Sequence, residues 1–247
     1  MKTEINAIIS KQGYEDLKNP NNDDKWKLSE IMCGNIFMND IMENKIELYE
    51  HIEDQKQQVE EGDYLIVFYD KGKLRHLFLE CKSCSTDIIT GEDRQFMDYR
   101  YYIRGSNFTK PYNQSTGGDI GWLELNKSNV LITYNYENDN LYVIDNYKIV
   151  KANILAYMED YYDTHDISKS PTEEQLCNGL WIKKSNHEES KKDTVNALLR
   201  LDDDTIESLG GKLFEFHVNF IIDWLTLEAE VYIKHFSFFI KIFCRNL

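Results

Sequence analysis

The sequence predicts an α/β fold in which a mixed sheet is flanked by helices. Apolar residues recur with helical spacing over 25–42, after a polar cluster at 21–24 that is suited to capping a helix. Two β-rich runs, 64–69 and 74–81, are joined by a short turn that contains Gly72, which is typical of a β-hairpin. A helix and a hairpin that follow each other closely in the chain predict a sheet with helices packed against it.

The other elements of the segment 1–150 follow from their periodicity. Alternating apolar and polar residues predict strands, whereas apolar residues at a spacing of three or four predict helices. On this basis we expect strands at 45–51, 129–134 and 140–150, a polar loop at 53–62 and a helix at 94–103.

After about residue 151 the pattern becomes more helical. We expect helices at 152–162, 171–180 and 191–201, a polar connection at 183–189, a long helix from Leu213 and a strand at 231–242. The predicted organisation is therefore a core domain over 1–150 and a mainly helical C-terminal extension over 151–247.

Composition limits the classes of function. The chain has 247 residues of which 42% are hydrophobic, enough for a folded domain with a sizeable core. Its net charge is −15, which argues against indiscriminate binding to nucleic acid or to an anionic membrane. The segment 70–110 differs from this average, because it holds eight basic and six acidic residues.

Targeting and membrane signals are weak. Residues 1–12 carry charges at Lys2, Glu4 and Lys11 in place of an apolar signal segment, so we expect a cytoplasmic protein. No run approaches the roughly 18 apolar residues of a membrane span. The odd number of cysteines, five, predicts reduced thiols, with a metal or redox role for the Cys81-x-x-Cys84 pair as the alternative.

Three charged residues are predicted to meet at one end of the hairpin. Asp63 begins the first strand, and Glu80 and Lys82 end the second. Residues i and i+2 of a strand share a face, so Glu80 and Lys82 project together while Cys81 points to the other side. Two carboxylates and one ammonium suit Mg²⁺, and the lysine is placed to orient or deprotonate a water molecule.

These residues resemble the PD-(D/E)XK nuclease superfamily. The resemblance rests on Gly62-Asp63, the hairpin, and Glu80-Cys81-Lys82. Downstream, Gln95-Phe-Met-Asp-Tyr99 is similar to the Q-x-x-x-Y motif of the RecB-like branch, with both side chains on one face of a predicted helix. The similarity covers about residues 25–135.

The resemblance implies a fold and an activity. The fold is a restriction-endonuclease-like core, αβββαβ, and the activity is Mg²⁺- or Mn²⁺-dependent hydrolysis of nucleic acid, with DNA as the expected substrate and RNA as the alternative. In this family the positions of Asp63, Glu80 and the Cys81 carbonyl hold the metal. Lys82 then positions the attacking water, and Gln95 and Tyr99 secure the site or the nucleic-acid backbone.

Two positions depart from the family pattern or leave it open. Gly62 stands where the family name has proline. The acidic residue of the first helix is assigned to Glu30 as a further metal ligand, with Glu43 and Glu15 as alternatives. A surface salt bridge is an equally weighted role for Glu30.

A second class of function stays open from sequence. The acidic net charge also fits a non-catalytic interaction module, or a DNA mimic, on a nuclease-like scaffold. Separately, a near-helical apolar stripe over 213–243 predicts a covered surface and a possible homodimer, with no membrane partner. The stripe consists of Phe214, Phe216, Phe220, Ile221, Trp224 and Leu225.

Overall fold

A computed structural model describes residues 3–19, 25–37, 46–103, 119–165, 173–187, 192–223 and 231–232. Over these residues the protein is α/β, with open, mixed, mostly antiparallel sheet and few helices. The helices are α1 (Lys11–Lys18), α2 (Lys25–Ile36), α3 (Gln55–Glu61), α4 (Trp122–Leu125), α5 (Tyr147–Thr164) and α6 (Asp203–Ser208). The strands are β1 (Thr3–Ser10), β2 (Ile46–His51), β3 (Tyr64–Asp70), β4 (Lys73–Thr86), β5 (Asp93–Ile103), β6 (Asp119–Ile120), β7 (Val130–Asn135), β8 (Asn140–Asp145), β9 (Glu173–Cys177), β10 (Leu180–His187), β11 (Lys192–Arg200), β12 (Lys212–Asp223) and β13 (Val231–Tyr232).

The chain forms two compact units. The first comprises Met1–Ser85, Ser128–Asp145 and Phe214–Leu247, and the second comprises Thr86–Lys127 and Asn146–Leu213. Each unit takes segments from both sides of residue 150, so the units do not follow the division into 1–150 and 151–247.

The sheet of the first unit runs in the order β13-β1-β12-β8-β7-β4-β3-β2. Strands β1 and β12 are parallel, as are β4 and β7, whereas β2, β3 and β4 form an antiparallel meander. Residues of β3 alternate between buried and partly exposed over most of its length, whereas β7 is buried at every residue and β8 at all but the first, as expected for strands covered on both faces. Core residues that are fully buried include Ile9, Ile66, Leu79, Ile132 and Val143.

The predicted hairpin is confirmed. Strands β3 and β4 pair from Tyr64 with Leu79 to Asp70 with Lys73. The two residues between them, Lys71 and Gly72, both have positive φ, 48° and 76°. Such two-residue turns match the right-handed twist of the strands that they join.

Helix α2 packs closely on β3. A Cβ atom added at Gly34 would lie 2.5 Å from Cζ of Tyr64, so the glycine makes room for that ring. The Tyr64 hydroxyl donates a hydrogen bond to the Glu30 carbonyl oxygen at 3.3 Å. This close approach brings the middle of α2 next to the start of β3, where Asp63 lies.

The second unit contains an antiparallel sheet in the order β6-β5-β11-β10-β9, together with α4, α5 and α6. Its buried Arg94 lies over the Trp181 ring, with 4.2 Å from the guanidinium carbon to the ring centroid. Arg94 also pairs with Asp87 at 3.1 Å and Glu173 at 3.2 Å. Helix α6 begins at Asp202, whose Oδ1 accepts a hydrogen bond from the Thr205 amide at 2.7 Å.

Several predicted elements are wrong. The helices expected at 94–103, 171–180 and 191–201 are strands β5, β9 and β11, and the connection expected at 183–189 falls largely on β10. Strand β5 pairs along nearly its whole length with β11, and this long-range pairing overrides the local helical spacing. The mainly helical extension is therefore wrong for the described residues, although α5 confirms the helix expected at 152–162. The loop expected at 53–62 contains α3, which Asp54 caps by accepting from the Gln57 amide at 2.8 Å.

The apolar segment from Leu213 is also a strand and not a helix. Strand β12 pairs in parallel with β1, and Phe216 and Val218 are buried within this unit. The chain therefore covers this part of the stripe itself. Trp224, Leu225 and 233–243 lie outside the described residues. Among the helices that the structure describes, none is long and apolar enough to cross a membrane.

Candidate active site

The predicted site residues of the first unit gather where β4 changes partners. Up to Leu79, β4 pairs with β3, and from Leu79 onward it pairs in parallel with β7. Glu80 and Lys82 lie just beyond this change, opposite Leu131 and Thr133 of β7. The pairing of β3 with β4 ends at Leu79, and beyond it the Asp63 side chain contacts the backbone of β4.

Glu80 and Lys82 form an ion pair between the Glu80 Oε1 and Lys82 Nζ atoms. The pair confirms that the two side chains project together, as the strand alternation predicts. The Glu80 side chain is only 4% exposed, whereas that of Lys82 is 30% exposed. Lys82 is therefore the more exposed side chain of the pair.

Asp63 continues the hydrogen bonding to β4 at the point where the pairing of β3 with β4 ends. Its backbone amide donates to the Leu79 carbonyl at 2.8 Å, and its Oδ2 accepts a hydrogen bond from the Cys81 amide at 2.6 Å. The carboxylate thus satisfies a β4 amide that has no β3 residue opposite it. Asp63 has a structural role at the position where the resemblance places a metal ligand.

Glu30 of α2 completes the acidic cluster. Its carboxylate is held by His51 of β2, with 2.7 Å between His51 Nε2 and Glu30 Oε1. The His51 ring packs on Tyr64 at 4.8 Å between centroids, and Tyr64 in turn stacks on Tyr49 at 5.2 Å. The two tyrosine rings support the imidazole and fix its contact with Glu30.

Burial shifts the protonation of these acids. Burial raises the pKa of the Asp63 carboxyl, an effect that the Lys82 charge, the Cys81 amide and His51 oppose. Burial likewise raises the pKa of Glu30, and the charge of Asp63 raises it further, against the effects of His51 and Lys82. An additional positive charge near Asp63 and Glu30 would therefore stabilise the ionised form of both carboxyls.

Lys82 stays charged in this setting. Burial lowers the pKa of Lys82, but the charges of Glu80 and Asp63 outweigh it, so that the pKa lies above the ordinary value. Lys82 pairs with Glu80, its charge acts on Asp63 and Glu30 over a longer range, and Glu30 contacts His51. Acid exceeds base in this cluster, as in a site that takes a cation or withdraws a proton.

Cys81 faces the opposite side of β4, as predicted. Its thiol is buried beside Cys33 of α2, and burial raises the pKa of Cys81 well above its ordinary value. Cys84 is also buried. The Cys81 side chain thus belongs to the core, and only its backbone carbonyl remains as a ligand in the predicted metal set.

The glycine before Asp63 has a specific backbone requirement. Gly62 has φ +104°, which proline cannot adopt because its ring holds φ at a negative value. A Cβ atom at Gly62 would also lie 2.3 Å from Ser128 Oγ and 2.7 Å from the Leu79 carbonyl oxygen. The departure from the family's proline is therefore a consequence of how this chain enters β3.

Gln95 and Tyr99 belong to the second unit and lie on strand β5, so their predicted helix is wrong. Both side chains are buried. Gln95 Nε2 donates to the Phe96 carbonyl at 2.7 Å, and Tyr99 packs edge-on against Tyr162 at 5.3 Å. These contacts are those of residues packed within the second unit.

His51 is a residue of the site that the sequence does not predict. In the sequence, His51 stands at the end of the strand predicted at 45–51. Several other polar residues occur in that strand, so the position of His51 does not single it out. Of the alternatives for the first-helix acid, Glu15 is exposed on α1 and pairs with Lys11 at 3.6 Å, and Glu43 lies outside the described residues. Glu30 is the alternative that contacts the cluster.

The acidic residues of the site have the oxygen atoms that Mg²⁺ prefers as ligands, but their side chains are not arranged around a common point. Within the ranges that the structure describes, no group of three His, Cys, Asp or Glu side chains is arranged to hold a metal ion. Glu30, Asp63 and Glu80 nevertheless offer buried carboxylate oxygens, which are the type of ligand that Mg²⁺ prefers.

The chain was compared with protein-family models, with curated proteins and with solved structures. None of the three comparisons finds a match.

Proposed function

We propose that this protein is a metal-dependent nuclease that hydrolyses phosphodiester bonds of DNA, in keeping with its resemblance to the PD-(D/E)XK superfamily. One observation carries the proposal. Glu80 is a buried carboxylate paired with the ammonium of Lys82, and Asp63 and Glu30 are two further buried acids within electrostatic reach of that ammonium. A purely structural hairpin has no need to bury three acids so near one another, because burying charge is costly.

Mg²⁺ or Mn²⁺ would be held by Asp63, Glu80 and the Cys81 carbonyl, with Glu30 as the further acid. Bound there, the ion polarises a phosphate and lowers the pKa of a water molecule. The buried carboxylates supply negative charge for it. Burial raises the pKa of Asp63 and Glu30, so the metal would bind in competition with a proton at these carboxyls.

The chain's own groups then have separate tasks. Lys82 is charged and partly exposed, so its ammonium orients the attacking water and stabilises negative charge that develops on the phosphate. The Cys81 amide fixes the orientation of the Asp63 carboxylate. His51 fixes that of Glu30.

The order of elements supports a variant of the restriction-endonuclease-like core. Helix α2 is followed by the antiparallel strands β2, β3 and β4, and β4 is parallel to β7. The helix that this core requires between β4 and β7 is the point of difference, because the described residues there form β5, β6 and the short α4. We propose the cytoplasm as the location of the protein and a homodimer as its assembly.

The direct test is cleavage of a labelled panel of duplex DNA, single-stranded DNA and RNA with Mg²⁺, Mn²⁺ or EDTA. We expect metal-dependent cleavage of DNA that EDTA abolishes. The variants Glu80→Ala and Lys82→Ala should each lose at least about 10²-fold activity. Lys73→Ala, on the same strand but exposed, is the control and should cleave like the wild type. Full activity in a folded Lys82→Ala protein would contradict the proposal.

A readout independent of turnover tests the metal site. Mg²⁺ bound only to the native state raises the thermal midpoint as its concentration rises. We expect this rise in the wild type and its loss in the double variant Asp63→Asn/Glu80→Gln. The alternative of an acidic interaction module, which the charge of −15 favours, predicts instead no cleavage and tight, salt-sensitive binding to a basic protein such as a histone.

A further inference from the structure

Three lysines of the second unit lie close together on a protein that is otherwise acidic. Lys148 and Lys151 are three positions apart on α5, so they share one face of that helix. The Lys151 ammonium donates a hydrogen bond to the carbonyl of Asn126, the residue that ends α4. This bond places Lys127, the next residue in the chain, beside the same turn of α5.

The charges of this lysine cluster act on one another. Burial lowers the pKa of Lys151, and the charges of Lys148 and Lys127 lower it further, while Glu124 opposes them. Glu124 is itself paired with Arg100. Three ammonium groups therefore repel one another in a chain whose net charge is −15. The Glu124 carboxylate offsets this repulsion only in part, because it is also paired with Arg100.

The fold adds positive potential at the same place. The cluster surrounds the first turns of α5, which has 18 residues, and the helix dipole is positive at this end. Lys127 and Lys148 are exposed to solvent.

We infer that Lys127, Lys148 and Lys151 form a binding surface for the phosphate backbone of DNA. The inference rests on the proposed function, because it names the surface by which the proposed nuclease holds its substrate. Ammonium groups contact phosphate oxygens as point charges and read no base edges, so the surface binds without sequence preference. Phosphates also relieve the repulsion among the three lysines.

Binding is measured by the fluorescence anisotropy of a labelled 25-base-pair duplex in EDTA, over a series of salt concentrations. The variant Lys127→Gln/Lys148→Gln/Lys151→Gln should bind at least about tenfold more weakly than the wild type. Each phosphate contact contributes about −0.9 to the slope of log K against log salt, so the slope should fall by about 2.7. Because Lys151 is partly buried, the double variant Lys127→Gln/Lys148→Gln serves as a second test, with a fall of about 1.8.

A matched control removes the same charge elsewhere. Lys11→Gln/Lys73→Gln/Lys212→Gln changes three exposed lysines outside the cluster and should bind within about twofold of the wild type, as expected for charges that make no phosphate contact. Equal weakening by both triple variants, or no weakening by the cluster variants, would overturn the inference. So would lysine-dependent binding to phosphatidylserine vesicles without binding to DNA.

The cleavage assay separates this inference from the proposed function. If the wild type cleaves DNA and the cluster variants still bind normally, the nuclease stands and the inference fails. If the cluster governs DNA binding but no metal supports cleavage, the surface is established and the proposed catalysis fails.

Discussion

The imidazole of His51 reaches from β2 to α2, where its Nε2 atom lies 2.7 Å from Oε1 of Glu30. The same ring packs on Tyr64, whose hydroxyl contacts the Glu30 backbone carbonyl at 3.3 Å. Glu30 is thus held through both its side chain and its backbone by two neighbouring residues. Partners of this kind orient a carboxylate before it receives a ligand.

The first prediction concerns this contact. His51→Ala should lower DNA cleavage about 10- to 100-fold, the range for loss of a group that orients a metal ligand, and should raise the Mg²⁺ concentration needed for half-maximal activity. His51→Gln keeps a donor near Glu30 and should recover much of the loss. Activity is measured across a Mg²⁺ titration. An unchanged titration in His51→Ala would mean that the contact serves packing alone.

The second prediction uses the raised pKa of Asp63. Folding raises this pKa, so the native state binds the proton more tightly than the unfolded state, whose pKa is about 3.9. The carboxyl therefore adds stability below about pH 4, and this contribution is lost as pH rises through the raised value. Each unit of pKa difference corresponds to about 1.4 kcal/mol.

We therefore expect Asp63→Asn to gain stability relative to the wild type as pH rises from 4 to 7 without divalent ions. The loss of the Asp63 charge also removes its effect on Glu30, which acts in the same direction. Urea unfolding at several pH values measures the difference. Ile88→Ala, at a fully exposed position without an ionisable group, is the control and should give a pH-independent offset. A loss of stability of Asp63→Asn relative to the wild type as pH rises from 4 to 7 would refute the prediction.

The hairpin and its acidic end could be predicted from sequence because the signals there are local. Apolar alternation, a two-residue turn with Gly72, and i, i+2 geometry are enough to place Glu80 beside Lys82. Asp63 follows from the register, since it directly precedes the Tyr64–Leu79 pair. Each of these inferences needs only the two strands and the turn that joins them.

The elements that failed depend on distant partners. Gln95 and Tyr99 share a face in a helix and in a strand alike, so their spacing does not distinguish the two. Pairing with β11, which lies far along the chain, decides for the strand. The contact of His51 with Glu30 joins a strand to a helix, and its partner is not visible in either local pattern.

The third prediction concerns the packing of α2 on β3. In Gly34→Ala the new Cβ would lie 2.5 Å from Tyr64 Cζ, and Tyr64 is held by Tyr49 and His51. Such overpacking typically costs about 1–3 kcal/mol, even though alanine is the better helix former. Chemical denaturation measures the loss.

The exposed Ile31 on the same helix gives the control for Gly34→Ala. Ile31→Ala should change the free energy of unfolding by no more than about 0.5 kcal/mol, the usual limit for surface substitutions. A Gly34→Ala protein as stable as the wild type would show that Tyr64 moves aside, and the position of Glu30 would then be less constrained than the contact indicates.

The last prediction separates the structural and the chemical roles of the Glu80–Lys82 pair. Lys82→Met leaves the buried Glu80 carboxylate without its ammonium partner, which should cost about 1–3 kcal/mol. Glu80→Gln removes the charge but keeps an amide to hydrogen-bond. The double variant no longer buries an unpaired charge, so its loss should be smaller than the sum of the single losses by about 1 kcal/mol or more. Urea unfolding of the four proteins gives this coupling, and additivity within about 0.5 kcal/mol would show that the pair is not coupled in the native state.

Because the double variant restores stability without restoring the acid or the base, we expect it to remain inactive on DNA, which distinguishes a catalytic pair from a stabilising one.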